Sequence, residues 1–316
     1  MKMYKPEGTY NNKFNGRFNG FRRDTLEQFM KSGKVVEAPV TKCDNELNLY
    51  INLGKNITGI IPSDEFEYNM HGQPTKSIAI ISKVDKRVNF KIMEINDEED
   101  GSITVKLSRK QAQIDCYNDF VSKLKLGQLI DAKITHVEKY GAFCDIGCGI
   151  TALLPIEHFC VARIKDVKAA LANYEFIKVI VKDIDESGKI ILSQKELLGT
   201  WEEEAAKFKQ GDIAAGTVRM IEKYGIFVEL TPNLAGLAEM NPSVKIGDGV
   251  SVFIKSIVPE KMKIKLVIVS KSESNKQATG ELNYRLPESG FVERWQYSPD
   301  CCEKQIVTSF EGRNKE

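Results

Sequence analysis

The sequence has no run of about 18 apolar residues, so nothing in its 316 residues reads as a membrane-spanning helix, and no membrane partner is expected. It also has almost no net charge: 45 lysines and arginines stand against 44 aspartates and glutamates, leaving +1 at pH 7. A uniformly basic, histone-like coating surface is thereby excluded, and any contact with a polyanion must come from local patches. Histidine is scarce, at three residues. There is no phosphate-cradling glycine loop, no nucleophile elbow and no His-rich metal motif, so the common enzyme chemistries find no foothold. No cofactor, small-molecule substrate or catalytic residue is expected. The seven cysteines are odd in number and include the adjacent pair Cys301 and Cys302. The opening MKMYKPEGTYNNKF has no apolar core of a secretory signal, and a reduced cytoplasmic setting is the expectation.

What the sequence does contain is an internal repeat. Residues 127–143 (GQLIDAKITHVEKYGAF) match residues 211–227 (GDIAAGTVRMIEKYGIF) without a gap, and both hold Glu-Lys-Tyr-Gly-x-Phe. A fainter copy starts at Gly33 and runs to Asn48-Leu-Tyr-Ile-Asn-Leu-Gly54. In the middle copy, alternating stretches predict strands over 129–140, 141–147, 151–154, 176–184 and 189–193, the last two flanking the turn Asp185-Glu-Ser-Gly188. Five short strands per copy suit a small closed barrel. The expected fold is mainly β: three tandem five-stranded barrels of the OB type joined by short α-helices. The division runs as an arm and short helix over 1–32, barrels over 33–108, 127–195 and 211–271, connecting helices over 109–126 and 196–210, and a linker with a small terminal appendage over 272–316. Ser108 opens the first connecting helix and Gly127 is its expected stop; Thr200 with Glu203, and Asp24 with Glu27, read as capping boxes. In the appendage, 292–297 and 305–310 read as two short strands.

Single-stranded nucleic acid is held by rings that stack on bases and cations that follow phosphates. Tyr140 and Phe143, and again Tyr224 and Phe227, supply rings. Three residues apart on a flat strand they would face opposite ways, but Gly141 and Gly225 permit a bulge that returns each pair to one face. Taken singly, such aromatics are more often core residues. Here Ile134, Val137, Cys144 and Ile146 already offer a core face, which leaves Phe143 on the other. Lys133, His136 and Lys139 beside the first pair, and Arg219 and Lys223 beside the second, are candidate phosphate contacts, or equally a solvated strand face. Arg17, Arg22 and Arg23, interleaved with Phe14, Phe18 and Phe21, read either as a flexible leader or as an arm that folds on nucleic acid.

The pattern Gly-x-x-x-x-Ala/Gly-x-Val/Ile followed by Tyr-Gly-x-Phe, and later by Asp-x-Ser-Gly-Lys-Ile-x-Leu-Ser, resembles the RNA-binding repeat of the bacterial small-subunit ribosomal protein called S-one. The resemblance covers about residues 33–271, and the whole order of segments is similar to a short three-repeat version from Firmicutes-type bacteria. It implies single-stranded RNA as ligand, the small ribosomal subunit as partner, and a site of two aromatics, a histidine and a hairpin Asp with a basic residue. Carried over, these are Tyr140, Phe143, Asp185 and Lys189 in the second barrel, where Pro155 stands at the histidine position. In the third they are Tyr224, Phe227 and Lys263, with Glu239 for the histidine and Pro259 for the Asp. The first barrel keeps Tyr50 alone, with Leu47 and Pro62 at the other positions, and docking onto a protein suits it better than RNA.

Cys144, Cys148, His158 and Cys160 could suggest zinc, but their spacing matches no common finger. The acids at 97–100 and 202–204 read as a polar hairpin loop and a helix's first turn. Three function classes follow: an RNA-binding protein of translation, which leads; a protein-docking scaffold, favoured if the ring pairs are buried; and an accessory factor of RNA turnover, for whose catalytic domain the remaining segments are too short.

Overall fold

The computed structural model describes residues 4–9, 20–69, 75–162, 164, 168, 171, 174–271 and 282–312. Three closed five-stranded barrels follow one another along the chain. The first uses β1 (Val36–Cys43), β2 (Leu49–Gly54), β3 (Ile57–Ile61), β4 (Arg87–Asp97) and β5 (Ile103–Ser108). The second uses β6 (Leu129–Glu138), β7 (Gly141–Gly147), β8 (Ile150–Pro155), β9 (Phe176–Ile184) and β10 (Ile190–Ser193). The third uses β11 (Ile213–Glu222), β12 (Gly225–Thr231), β13 (Leu234–Ala238), β14 (Gly249–Val258) and β15 (Lys263–Lys271). Each ring has one order: the first strand lies between the second and fourth, and the third and fifth close it as a parallel pair. Alternation fills the interiors. In β2, Leu49, Ile51 and Leu53 point inward, and in β15 Ile264 and Leu266 do so while Lys263, Lys265 and Val267 point out.

Contacts divide the chain into two compact units, one of residues 1–124 with 145–151, the other of 125–144 with 152–316. In the first unit the segment after Met3, unremarkable as sequence, is drawn into the interior. Tyr4 and Glu7 are buried, the Tyr4 hydroxyl donates to Asp119 at 3.0 Å, and the Glu7 carboxylate receives Arg109 and Lys83, each at 2.7 Å. Ser108 caps the helix Arg109–Asp119 by accepting from the Gln111 amide at 2.8 Å. That helix stops at Asp119 and tightens into a single 3₁₀ turn over Val121–Lys123, so Gly127 is not its stop. The helix Arg23–Ser32 starts one residue before Asp24 and has no side-chain cap; Glu27 bonds Arg23 at 3.0 Å instead of closing a capping box.

In the second unit the capping box at the helix Trp201–Ala205 forms as the sequence suggests: Thr200 Oγ1 accepts from the Glu203 amide, and Glu203 accepts from the Thr200 amide. The two terminal strands, β16 (Arg294–Gln296) and β17 (Val307–Ser309), pair antiparallel and lie on the unit's core, with Trp295, Tyr297 and Phe310 buried in it. They are part of the unit's packing, not a loose appendage. Buried Asn233 ties the loops together by donating to the carbonyls of Lys195 and Gly199 and accepting from the Val161 amide. Asn233→Ala leaves the Gly199 carbonyl and the Val161 amide without this partner, while the Lys195 carbonyl keeps the Leu198 amide, and we expect a loss of about 2–4 kcal/mol, read from the denaturant midpoint of the chain.

Candidate nucleic-acid interface

The hairpin of β6 and β7 carries the first ring pair. Lys139 and Tyr140 form its two-residue turn, so Tyr140 stands at the tip, 55% exposed, while Phe143 sits half-buried on β7. Their rings meet edge to face at 6.3 Å. The third barrel repeats the device: Glu222 pairs with Gly225 across a turn of Lys223 and Tyr224, Tyr224 is 64% exposed, and its ring meets Phe227 edge to face at 6.0 Å. Both pairs therefore share an outer face, and in the third barrel the reason is not a bulge at the glycine. In the third barrel the register slips between Val218 and Met220, ahead of the turn rather than at the glycine. What the glycines supply is close approach: a Cβ at Gly141 would lie 2.3 Å from the Leu154 carbonyl oxygen, and one at Gly225 would lie 2.6 Å from that of Ala238. The core face of β6 and β7 is also a different set. Ala132, Ala142, Cys144 and Ile146 are buried, whereas Ile134 and Val137 are half-exposed.

His136 joins the pair in the second barrel. Its imidazole lies 6.3 Å from the Phe143 ring and 23° off parallel, while Nε2 sits 2.7 Å from Glu138. Three side chains of the hairpin thus form one aromatic platform. Lys133 leans away, with its ammonium 3.3 Å from Glu175 and 5.3 Å from the Phe176 ring. Lys139 and Lys223 are exposed at the turn tips beside the tyrosines. Arg219 is a correction: its guanidinium forms a two-pronged pair with Glu229, both contacts at 2.9 Å, and is nearly buried, so it is not a free phosphate contact. The bulge that turns Arg219 out of the strand register also delivers it to Glu229 on β12.

At the β9–β10 hairpin, Asp185 accepts from the Ser187 hydroxyl, the Ser187 amide and the Lys189 amide. These bonds, the Ser187 hydroxyl first, hold its carboxyl below the usual carboxylate range. Its visible work is to shape the turn that presents exposed Lys189. Lys263 is exposed at the start of β15, opposite Val258, and Glu239 is exposed just past β13. In the first barrel Tyr50 spends its hydroxyl on Asp44 at 3.0 Å, and the Lys42 ammonium covers its ring at 4.3 Å, so that face is already occupied. Arg23 is held by Glu27 and Asp97 rather than free, Arg22 is exposed, and Arg17, Phe14 and Phe18 lie outside the described residues. Among the described residues no group of three His, Cys, Asp or Glu could hold a metal ion, and no helix is long and apolar enough to cross a membrane.

The second and third barrels each present a ring pair and a turn-tip lysine on the outer face, the side-chain types on which single-stranded nucleic acids stack and pair their charge. A family model described as the S1 RNA binding domain matches residues 30–106 and 123–195, so the first and second barrels belong to this family of domains. The third barrel repeats the ring order and the Tyr-Gly-x-Phe turn outside the matched residues. Among similar curated proteins are the small ribosomal subunit proteins bS1 of Streptococcus pneumoniae, 27% identical over 63% of this chain and 53% of that protein, and of Staphylococcus epidermidis, 24% identical over 85% and 66%. That of Leuconostoc lactis is 31% identical over 46% of this chain and 37% of that protein. The chain thus spans from about a third to about two thirds of the length of these relatives.

Proposed function

We propose that this protein binds single-stranded RNA, in the first place unstructured message, through its second and third barrels, and that it does so in association with the small ribosomal subunit during translation, without catalysing a reaction. The observation that carries the RNA reading is the repeated ring pair, Tyr140 with Phe143 and Tyr224 with Phe227, each with its tyrosine exposed beside a lysine. A ring exposed at the same turn tip in two barrels, in edge contact with a second ring and beside a lysine, offers a flat face on which any nucleobase can stack. The ribosomal part of the reading draws on the relatives named above. It is tested by sedimenting the tagged protein with and without ribosomes: co-sedimentation with the small subunit supports it, and a protein that stays at the top of the gradient removes it.

The balance of charge sets a further expectation. A near-neutral chain that uses a few lysines per barrel releases few counterions. With about three to five phosphate contacts at roughly 0.7 each, log affinity should fall against log salt with a slope of about −2 to −3.5. A titration of an oligouridylate across salt concentrations measures this, and a slope several units steeper would mean that the arginine-bearing N-terminal arm dominates.

A further inference from the structure

The pairing of the third barrel places Lys255, Lys265 and Phe253, none of them assigned above, beside Lys263 and in line with the ring pair. Phe227 on β12 pairs with Leu237 on β13, Leu237 pairs with Lys265 on β15, and Lys265 pairs with Ser256 on β14. Phe227, Leu237 and Lys265 all point outward, so one row runs around the barrel from the ring to a lysine two strands away, about 10 Å at strand spacing. Along β15 the outward neighbours of Lys265 are Lys263 and Val267. Val267 pairs with Phe253 on β14, and Phe253 pairs with Ile213 on β11. Lys255 lies two residues beyond Phe253, at the register slip between Ile254 and Ser256, diagonal to Lys265. Phe253 is 38% exposed, and Lys255, Lys263 and Lys265 are exposed too.

Three lysines on two paired strands repel one another, and among the described residues no salt bridge neutralises them. The arrangement leaves three exposed ammonium groups side by side for an anion. Glu239, at the end of β13, and Glu260, in the β14–β15 turn, are the nearby acids, and they bracket the lysines rather than pair with them. The corresponding face of the second barrel is closed. There Leu129 pairs with Ile180, Ile180 is buried within the cluster that includes Val292, Trp295 and Phe310, and Lys182 is paired with Glu196. Only the third barrel of this unit offers the face open, with its lysines free and an aromatic ring among them.

We propose that this face is a second single-strand RNA subsite: a strand that stacks on Tyr224 and Phe227 continues across Leu237, lays its phosphates along Lys263, Lys265 and Lys255, and stacks a further base on Phe253. The inference rests on the RNA reading above and assigns to the third barrel a longer binding tract than its ring pair alone would give. A basic strip contiguous with base-stacking rings favours nucleic acid over a protein partner, whose docking would need acids to meet the lysines and is the alternative that the test exposes.

The test uses the full chain with Tyr140→Ala and Phe143→Ala in every arm, so that the third barrel reports the binding, and fluorescence anisotropy with oligouridylates of about 5 and about 12 nucleotides, within the range of single-barrel site sizes. Phe253→Ala with Lys265→Ala should weaken the long strand by about tenfold and leave the short one within about twofold. Lys255→Glu with Lys265→Glu, both at exposed positions, should reproduce this and guards against a folding artefact. If either pair of changes leaves long and short strands equally unaffected while Tyr224→Ala with Phe227→Ala abolishes binding, the subsite is refuted, the RNA reading stands, and the face is left to a protein partner. If Tyr224→Ala with Phe227→Ala also has no effect at either length, the RNA reading of this barrel is what has failed.

Discussion

Replacing both rings of the second barrel, Tyr140→Ala with Phe143→Ala, should weaken binding of a short unstructured oligonucleotide at least tenfold. Stacking on an aromatic contributes on the order of 1–3 kcal/mol per base by alanine substitution, and here two rings in edge-to-face contact, with His136 against the second, are lost together. The matching change of Tyr224 and Phe227 should cost less on a short strand. Its hairpin sets Val258 against Lys263 where the second barrel sets the turn-shaping Asp185 against Lys189, so the Asp position is Val258 rather than the Pro259 that the sequence pattern suggests, and Glu239 adds repulsion near the strand's path. Tyr50→Ala should cost little, because its hydroxyl and ring are already engaged by Asp44 and Lys42. Titrating one labelled pyrimidine strand of about 5 nucleotides against the three variants ranks the barrels. A larger loss from Tyr50→Ala than from the double change at Tyr140 and Phe143 would reverse the assignment and make the first barrel the RNA site.

The legible parts were those governed by local pattern. Period-two alternation and turn glycines located the five strands of the middle copy, and the repeat carried the five-stranded barrel to the other two, because a closed barrel imposes on each strand the same inside-outside rhythm that the sequence displays. The ring pairs were legible as well, since Tyr-Gly-x-Phe recurs at the same place in two copies. The reason for their shared face was not, because a two-residue turn and a bulge are both compatible with one glycine between two rings. Long-range partners were the least legible. Nothing adjacent to Arg219 announces Glu229, which reaches it only because β11 and β12 pair with a slip, and nothing in MKMYKPEGTY announces that Glu7 ends beside an arginine about a hundred residues away. The lysine strip was in principle readable from Lys-Ile-Lys-Leu-Val at 263–267, where lysine alternates with apolar residues. Its alignment with Phe227 required the parallel pairing of β13 with β15. Sequence alone does not give that register.

Glu7→Ala should be the most destabilising single change in the first unit, by about 3–5 kcal/mol, because it leaves the Arg109 guanidinium buried without its counter-charge. Arg109 then keeps the Phe66 carbonyl at 3.1 Å, the Phe66 ring face and the charges of Asp145 and Glu67, to neither of which it is paired as it is to Glu7. The same cluster sets a pH signature. Burial works to raise the Glu7 carboxyl, but the charges of Arg109 and Lys83 outweigh it and bring it down to about 2. Its contribution to stability is therefore present above the unfolded value of 4.5 and lost as pH falls from there toward 2. Asp145 has the opposite sign. It accepts the amides of Glu7, Gly147 and Gly149, yet burial first, and then the Glu7 charge, raise it to about 6. Its folded form holds a proton that the unfolded chain has released, so its contribution is present below 3.8 and is lost as pH rises through 6. The two windows leave the first unit most stable near pH 4, with an acid limb below it and a falling limb that runs to about pH 6. Thermal unfolding followed by amide exchange in residues 20–69 between pH 3 and 8 reads this directly. Asp145→Asn should flatten the limb between about pH 4 and 6 and leave the acid limb, and a midpoint that climbs steadily from pH 4 to 6 would show that Asp145 is ionised at no cost in the folded chain.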